Sequence, residues 1–169
     1  DKCVQDLSCL DYRRMDKIAG IDIGFKDPTA FVVIAYDYLE EKFYVLDEFL
    51  DKEMTTGEQA RVISGMEGRY EVDLIFIDSA AAQTRHDWAM DYDISTITAK
   101  KSVLDGIAYV ASLIDNDKLI IDKNCTNLLF ALDQYQWDDR TNLTKERPVH
   151  GPASHMADAL RYALYTYSI

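Results

Sequence analysis

The run Lys17-Ile18-Ala19-Gly20-Ile21-Asp22-Ile23-Gly24 decides the fold, because everything after it can be placed relative to it. It is a β-type run that ends in glycine. Asp27-Pro28 follows as a turn signal, then a nearly all-apolar strand at residues 29–36 (TAFVVIAY) and a third at 42–49 (KFYVLDEF). Three strands joined by short turns predict an antiparallel meander.

Working outward, Thr55 and Glu58 form a capping-box pattern that opens a helix to about Arg69. Residues 72–78 (VDLIFID) are dense in β-branched and aromatic residues and read as a central, buried strand. A helix is expected over 80–90 and a short strand over 94–98. Ser102 and Asp105 repeat the cap pattern before a helix to about Ile114. A strand at 119–122 and a helix at 126–135 come next. Residues 136–150 are polar and read as a loop or hairpin, and 152–167 form the last helix, with Pro152 at its entry. A meander followed by alternating helices and strands predicts an α/β fold: a mixed sheet, antiparallel in its meander and parallel elsewhere, with helices on both faces. Residues 1–16 are weakly patterned and read as a linker or appended segment, leaving 17–169 as one domain.

The composition fits that picture. The chain has 169 residues, 48% of them apolar, with only 7 Gly and 3 Pro, enough to bury one core with short connections. No apolar stretch approaches the ~20 residues of a membrane span, and the polar N-terminal residues do not read as a signal peptide. Cys3, Cys9 and Cys125 fit reduced thiols better than a disulfide framework or a zinc site. The net charge of −12 argues against a protein that simply grips phosphate. The charge is uneven, however. Residues 37–53 hold seven acids against two bases, whereas 140–161 hold Arg140, Lys145, Arg147 and Arg161 against two acids. That stretch marks Arg140, Lys145 and Arg147 as candidate DNA contacts.

Three acids stand out. Asp22 ends the first strand among Ile18, Ile21 and Ile23, and Asp78 ends Leu74-Ile75-Phe76-Ile77-Asp78. A carboxylate on a core strand is costly unless it is paired or bound to a cation. Ser79, Ala80, Ala81 and Ala82 leave room beside Asp78 for a ligand. The third acid, Asp158, lies in the last helix, off the apolar stripe Met156-Ala159-Leu160-Ala163-Leu164-Tyr167, with His155 on its own face. Three carboxylates are hard oxygen ligands suited to Mg²⁺ or Mn²⁺. Two such ions about 3.5–4 Å apart can activate a water and stabilise the leaving oxygen of a phosphodiester. Taken singly, a strand-end Asp equally suits a turn or a helix cap, and His155 suits a helix cap.

Ile21-Asp22-Ile23-Gly24, Phe76-Ile77-Asp78-Ser79-Ala80 and His155-Met156-Ala157-Asp158-Ala159-Leu160-Arg161-Tyr162 together resemble the three acidic motifs of tailed-phage large-terminase nuclease domains. Ala99-Lys100-Lys101-Ser102-Val103-Leu104-Asp105-Gly106-Ile107, and Asn127-Leu128-Leu129 leading to Tyr135-Gln136-Trp137, are also similar to that family. The resemblance implies a ribonuclease H-like domain that cuts concatemeric double-stranded viral DNA during genome packaging, using two Mg²⁺ or Mn²⁺ ions. It implies Asp22, Asp78 and Asp158 as metal ligands, His155 as a catalytic helper, and Lys100 as a phosphate contact or loop-ordering residue. Its implied partners are DNA, an N-terminal ATPase motor domain, a portal and a small terminase subunit, in the host cytoplasm. The chain itself carries no Gly-x-x-x-x-Gly-Lys-Ser/Thr phosphate loop.

Other readings compete. A sugar-kinase or actin-like ATPase shares Asp-x-Gly on its first strand but needs a second glycine-rich loop and a second domain. A proofreading exonuclease wants Asp-x-Glu where this chain has Gly24. A junction-resolvase-like nuclease of the same fold and an inert docking module remain as alternatives. Residues 136–150 are expected to move over the site, being long, charged and next to the third motif.

Overall fold

Alternation along the first long strand divides the fold into two layers. In β2 (Asp16–Asp22), Ile18 packs into one apolar cluster while Ala19 and Ile21 pack into another on the opposite face. The computed structural model describes residues 3–23, 28–100, 102–141 and 154–168, with the backbone alone for 135–141.

Around β2 the chain places β1 (Val4–Gln5), β3 (Thr29–Asp37), β4 (Lys42–Asp51), β5 (Leu74–Ile77), β6 (Ile97–Thr98) and β7 (Leu119–Asp122). They form one sheet in the order β1-β7-β4-β3-β2-β5-β6. The meander β2-β3-β4 is antiparallel, and the β2–β5, β5–β6, β4–β7 and β1–β7 pairs are parallel. The helices are α1 (Thr56–Tyr70), α2 (Ala82–Asp91), α3 (Val103–Asp115), α4 (Thr126–Thr141) and α5 (Ser154–Tyr167). Side chains of α3, α4 and α5, such as Val110, Leu128 and Leu160, fill the cluster around Ile18. Ala60 and Ile63 of α1 and Trp88 of α2 fill the cluster around Ile21. Helices therefore cover both faces, the mixed α/β architecture expected from the sequence.

Local signals explain most boundaries. Thr55 caps α1 through its hydroxyl and Glu58 returns the bond to the Thr55 backbone, completing the capping box. Ser102 stands at the cap position of α3, but its side chain makes no capping bond. A short 3-10 turn, Ser79–Ala81, precedes α2 where a continuous helix was expected. The expected strand at 94–98 shortens to Ile97–Thr98. Helix α4 runs through Thr141, six residues into the stretch read as a loop. Nothing between Thr126 and Thr141 is Gly or Pro, so the sequence offers no stop at Tyr135. Lys145, Arg147 and the rest of 142–150, including most of the segment expected to move over the site, lie outside the described residues.

The segment read as a linker or appendage joins the edge of the sheet. Val4 and Gln5 pair with Ile121 and Asp122, Cys3 and Leu7 are buried, and the Leu7 amide donates to Asp122 Oδ1 at 2.8 Å.

The tightest joint lies between β2 and α5. A Cβ placed on Gly20 would stand 1.9 Å from the Ala159 carbonyl oxygen and 3.0 Å from Ala163 Cβ. Glycine at 20 with alanine at 159 and 163 lets helix backbone lie directly on strand backbone. Gly20→Ala is therefore expected to push α5 off the sheet and lower stability by about 3 kcal/mol. Urea denaturation of the two proteins measures it; a difference below about 0.5 kcal/mol would mean the helix can shift freely.

Candidate active site

The site is built where parallel strands end. Ile21 of β2 pairs with Ile77 of β5, so Asp22 and Asp78 leave the sheet side by side at the carboxyl ends of adjacent strands. Neighbouring strands lie about 4.8 Å apart, and open α/β sheets bind ligands at such ends. Asp22 shares the Ile18–Gly20 face of β2, the face on which α5 lies. One turn before Ala159, which rests on Gly20, α5 carries His155, and Asp158 directly precedes Ala159.

Each acid already has a protein partner. His155 Nδ1 and Asp22 Oδ2 are 2.9 Å apart, with side chains 14% and 13% exposed. Arg161 Nη2 donates to Asp158 Oδ1 at 3.3 Å, one turn along α5. Asp78 caps the 3-10 turn by accepting from the Ala80 amide at 3.2 Å. The cap reading of Asp78 thus holds locally, and it does not compete with the clustering. A groove of about 490 Å³ opens beside Asp78, bordered by Ala80, Ala81, Thr84, Thr55, Thr56 and Gln59. The small residues after Asp78 do leave room there.

The electrostatics bind the three acids into one cluster. Burial pushes the Asp22 carboxyl above the usual carboxylate range; the His155 hydrogen bond opposes this, and the charges of Asp158 and Asp78 add to the rise. The Tyr162 phenol is pushed up by burial and then by Asp22, Asp158 and Asp78 together. A divalent cation relieves this kind of mutual repulsion, and carboxylate oxygens are the donors that hard cations prefer. The donor set therefore fits Mg²⁺ or Mn²⁺ in chemistry and charge. Among the described residues, no three His, Cys, Asp or Glu side chains are gathered tightly enough to hold an ion as they stand.

The candidate DNA contacts are more scattered. Lys100 is exposed just before α3, and its backbone amide donates to Thr166 Oγ1 at 2.9 Å. The backbone of Arg140 belongs to α4, and Lys145 and Arg147 lie outside the described residues. Arg161, counted above with a basic surface, is instead buried at 6% exposure. It is the partner of Asp158, a pairing for which the i,i+3 spacing is the sequence signal. The apolar stripe of α5 also proves too narrow: Ala157, Arg161 and Tyr162 are buried as well, and Gly106 of α3 lies against Arg161.

Comparison with known proteins shows the family and the fold. Residues 19–166 match a family model described as "Terminase RNaseH-like domain". The "Terminase, large subunit" of Escherichia phage T5 is 44% identical over 161 residues, spanning 94% of this chain and 37% of that protein. The chain thus corresponds to little more than a third of the curated relative's length. The large terminase of the thermophilic bacteriophage D6E, solved in complex with ADP, shares the fold with a TM-score of 0.83 at 22% identity, covering 100% of this chain and 42% of that one. The large terminase nuclease domain of bacteriophage SPP1, solved with bound Mn, has a TM-score of 0.68 at 24% identity over 96% of this chain and 94% of that one.

The Asp22 shift carries a sign that can be checked. Its folded carboxyl holds a proton more tightly than the unfolded one. Folded stability in chelator therefore falls as pH rises from about 4 through the raised Asp22 value. Asp22→Asn lacks that fall. The variant's melting temperature, measured in EDTA, should gain on the native one across this window and equal or exceed it at neutral pH. A variant that melts well below native at neutral pH would make the Asp22–His155 pair a net stabiliser.

Proposed function

We propose that this chain, which belongs to the terminase RNaseH-like domain family, is a metal-dependent endonuclease that hydrolyses phosphodiester bonds of double-stranded viral DNA during genome packaging. The observation that carries the reading is the convergence of Asp22, Asp78 and Asp158 at one sheet edge, close enough for two of the acids to raise the carboxyl of the third. Asp22, Asp78 and Asp158 would hold the metal. Two Mg²⁺ or Mn²⁺ ions, when bound, supply an activated water and offset charge on the leaving oxygen. His155 fixes the orientation of Asp22 through Nδ1, and in its protonated form it balances that carboxylate's charge. Large terminase nuclease domains solved with bound Mn (bacteriophage SPP1) and with bound zinc (phage G20c) support a divalent cation, and the carboxylate oxygens here suit Mg²⁺ or Mn²⁺.

Lys100, Arg140, Lys145 and Arg147 are the residues assigned to the DNA backbone. The wider assembly follows from the family. The N-terminal ATPase motor of a longer protein, a portal and a small terminase subunit are the expected partners, in the host cytoplasm. Among the described residues no helix is long and apolar enough to cross a membrane.

The test is cleavage of supercoiled plasmid with Mn²⁺, Mg²⁺ or EDTA, native against Asp78→Ala. Nicking and linearisation that need metal and fall at least 100-fold in the variant are the expected result. A folded native chain that neither cuts nor binds Mn²⁺ would turn the reading to an inert docking module.

A further inference from the structure

Arg161 is an unusual occupant of its position. It is 94% buried by residue, and neither its Nε nor its Nη1 has a hydrogen-bond partner among the described residues. On α5 it is flanked by buried Leu160 and Tyr162, surroundings in which an apolar side chain would sit without loss. A buried guanidinium with unmet N–H groups destabilises the fold unless it serves another purpose. The surroundings are nevertheless shaped for it. A Cβ on Gly106 of α3 would stand 2.8 Å from Arg161 Cγ and 2.7 Å from Cδ, so glycine there clears the path of the side chain. The guanidinium lies over the Tyr162 ring, 4.9 Å from its centroid. Its hydrogen bond goes to Asp158 Oδ1.

From this geometry we infer that Arg161 is a positioning residue: a buried cation, admitted by Gly106 and seated on Tyr162, that fixes the Asp158 carboxylate for metal binding. The inference rests on the metal reading proposed above. The tether acts in two ways. It restricts the rotamers of Asp158, whose side chain is only 14% exposed. It also places a fixed positive charge behind the acid cluster, so that Asp158 stays near Asp22 and Asp78 despite their mutual repulsion. Residues that orient metal ligands from behind commonly change metal affinity by roughly 10–100-fold.

The test is calorimetric titration of Mn²⁺ into the chain, purified in chelator and then freed of it, for native protein, Arg161→Met, Arg161→Lys and Gly106→Ala. Melting temperature without metal is followed in parallel. Arg161→Met keeps the shape and removes the charge and the unmet donors. It should melt no lower than native yet bind Mn²⁺ roughly 10–100-fold more weakly. Arg161→Lys retains a cation within reach of Asp158 and should recover part of that loss. Gly106→Ala keeps every charge and raises the helix propensity of α3, but displaces the Arg161 stem, and should weaken Mn²⁺ binding in the same direction. If Arg161→Met does not fold, Gly106→Ala gives the same reading. Folded variants with native Mn²⁺ affinity, or a lysine variant as impaired as the methionine one, would overturn the inference and leave Arg161 a packing residue. Absence of Mn²⁺ binding by the native chain would overturn the metal reading itself, and this inference with it.

Discussion

The contact of Gly20 with the Ala159 carbonyl governs the rest of the structure. A helix usually rests on a sheet at a distance set by two layers of side chains, roughly 10 Å between axis and sheet. Here one of those layers is missing. Glycine on the strand and alanine at two successive turns of the helix let α5 sink to backbone contact. Acids as short as Asp22 and Asp158 can then feel one another, and an imidazole can reach a strand-end carboxylate at 2.9 Å. Longer acids on a helix at ordinary distance would reach the same point with more rotamer freedom and less definition. The small residues therefore belong to the site as much as the acids do, although none of them carries any chemistry.

A consequence is that the site works against the stability of the fold. Three carboxylates share one sheet edge, burial raises the carboxyl of Asp22, and a guanidinium sits in the core with two N–H groups unmet. Groups of this kind persist when the surrounding packing over-determines them. That packing is visible on both sides: Ile18, Ile34, Leu160 and Leu164 on the α5 face, and Ile21, Ile77, Ile63 and Trp88 on the other, are all essentially inaccessible to solvent. The apolar core holds β2, β5 and α5 rigidly enough that the repulsion among their acids cannot spread them apart.

Much of this was legible in the sequence. Apolar runs rich in β-branched and aromatic residues mark the strands, Thr55 and Glu58 mark the start of α1, and the strand-end positions of Asp22 and Asp78 mark the edge of the sheet at which they meet. What escaped reading depends on contacts between distant segments. The strand at Val4–Gln5 is only two residues long and exists because β7 offers an open edge, a fact no local pattern carries. The hydroxyl of Ser102 has the sequence context of a cap but makes no capping bond. Arg161 reads as a surface base in any window around it, and only Gly106, 55 positions earlier, turns it inward. Helix α4 runs past its expected end because a polar composition alone does not stop a helix.

The inward turn of Arg161 also sharpens the question raised by a net charge of −12. Affinity for a duplex comes largely from Lys and Arg that displace condensed counterions, and one of the few bases near the third motif is committed to Asp158. On the function proposed here, the chain cuts DNA that it grips weakly on its own. Tethering to a DNA-translocating partner would raise the local concentration of substrate to the millimolar range, which compensates for poor intrinsic affinity without any new contact. Strong intrinsic affinity would instead expose any duplex in reach to the proposed active site. On that proposal the net charge would act as discrimination: repulsion would keep stray DNA away, and delivered DNA would reach Asp22, Asp78 and Asp158.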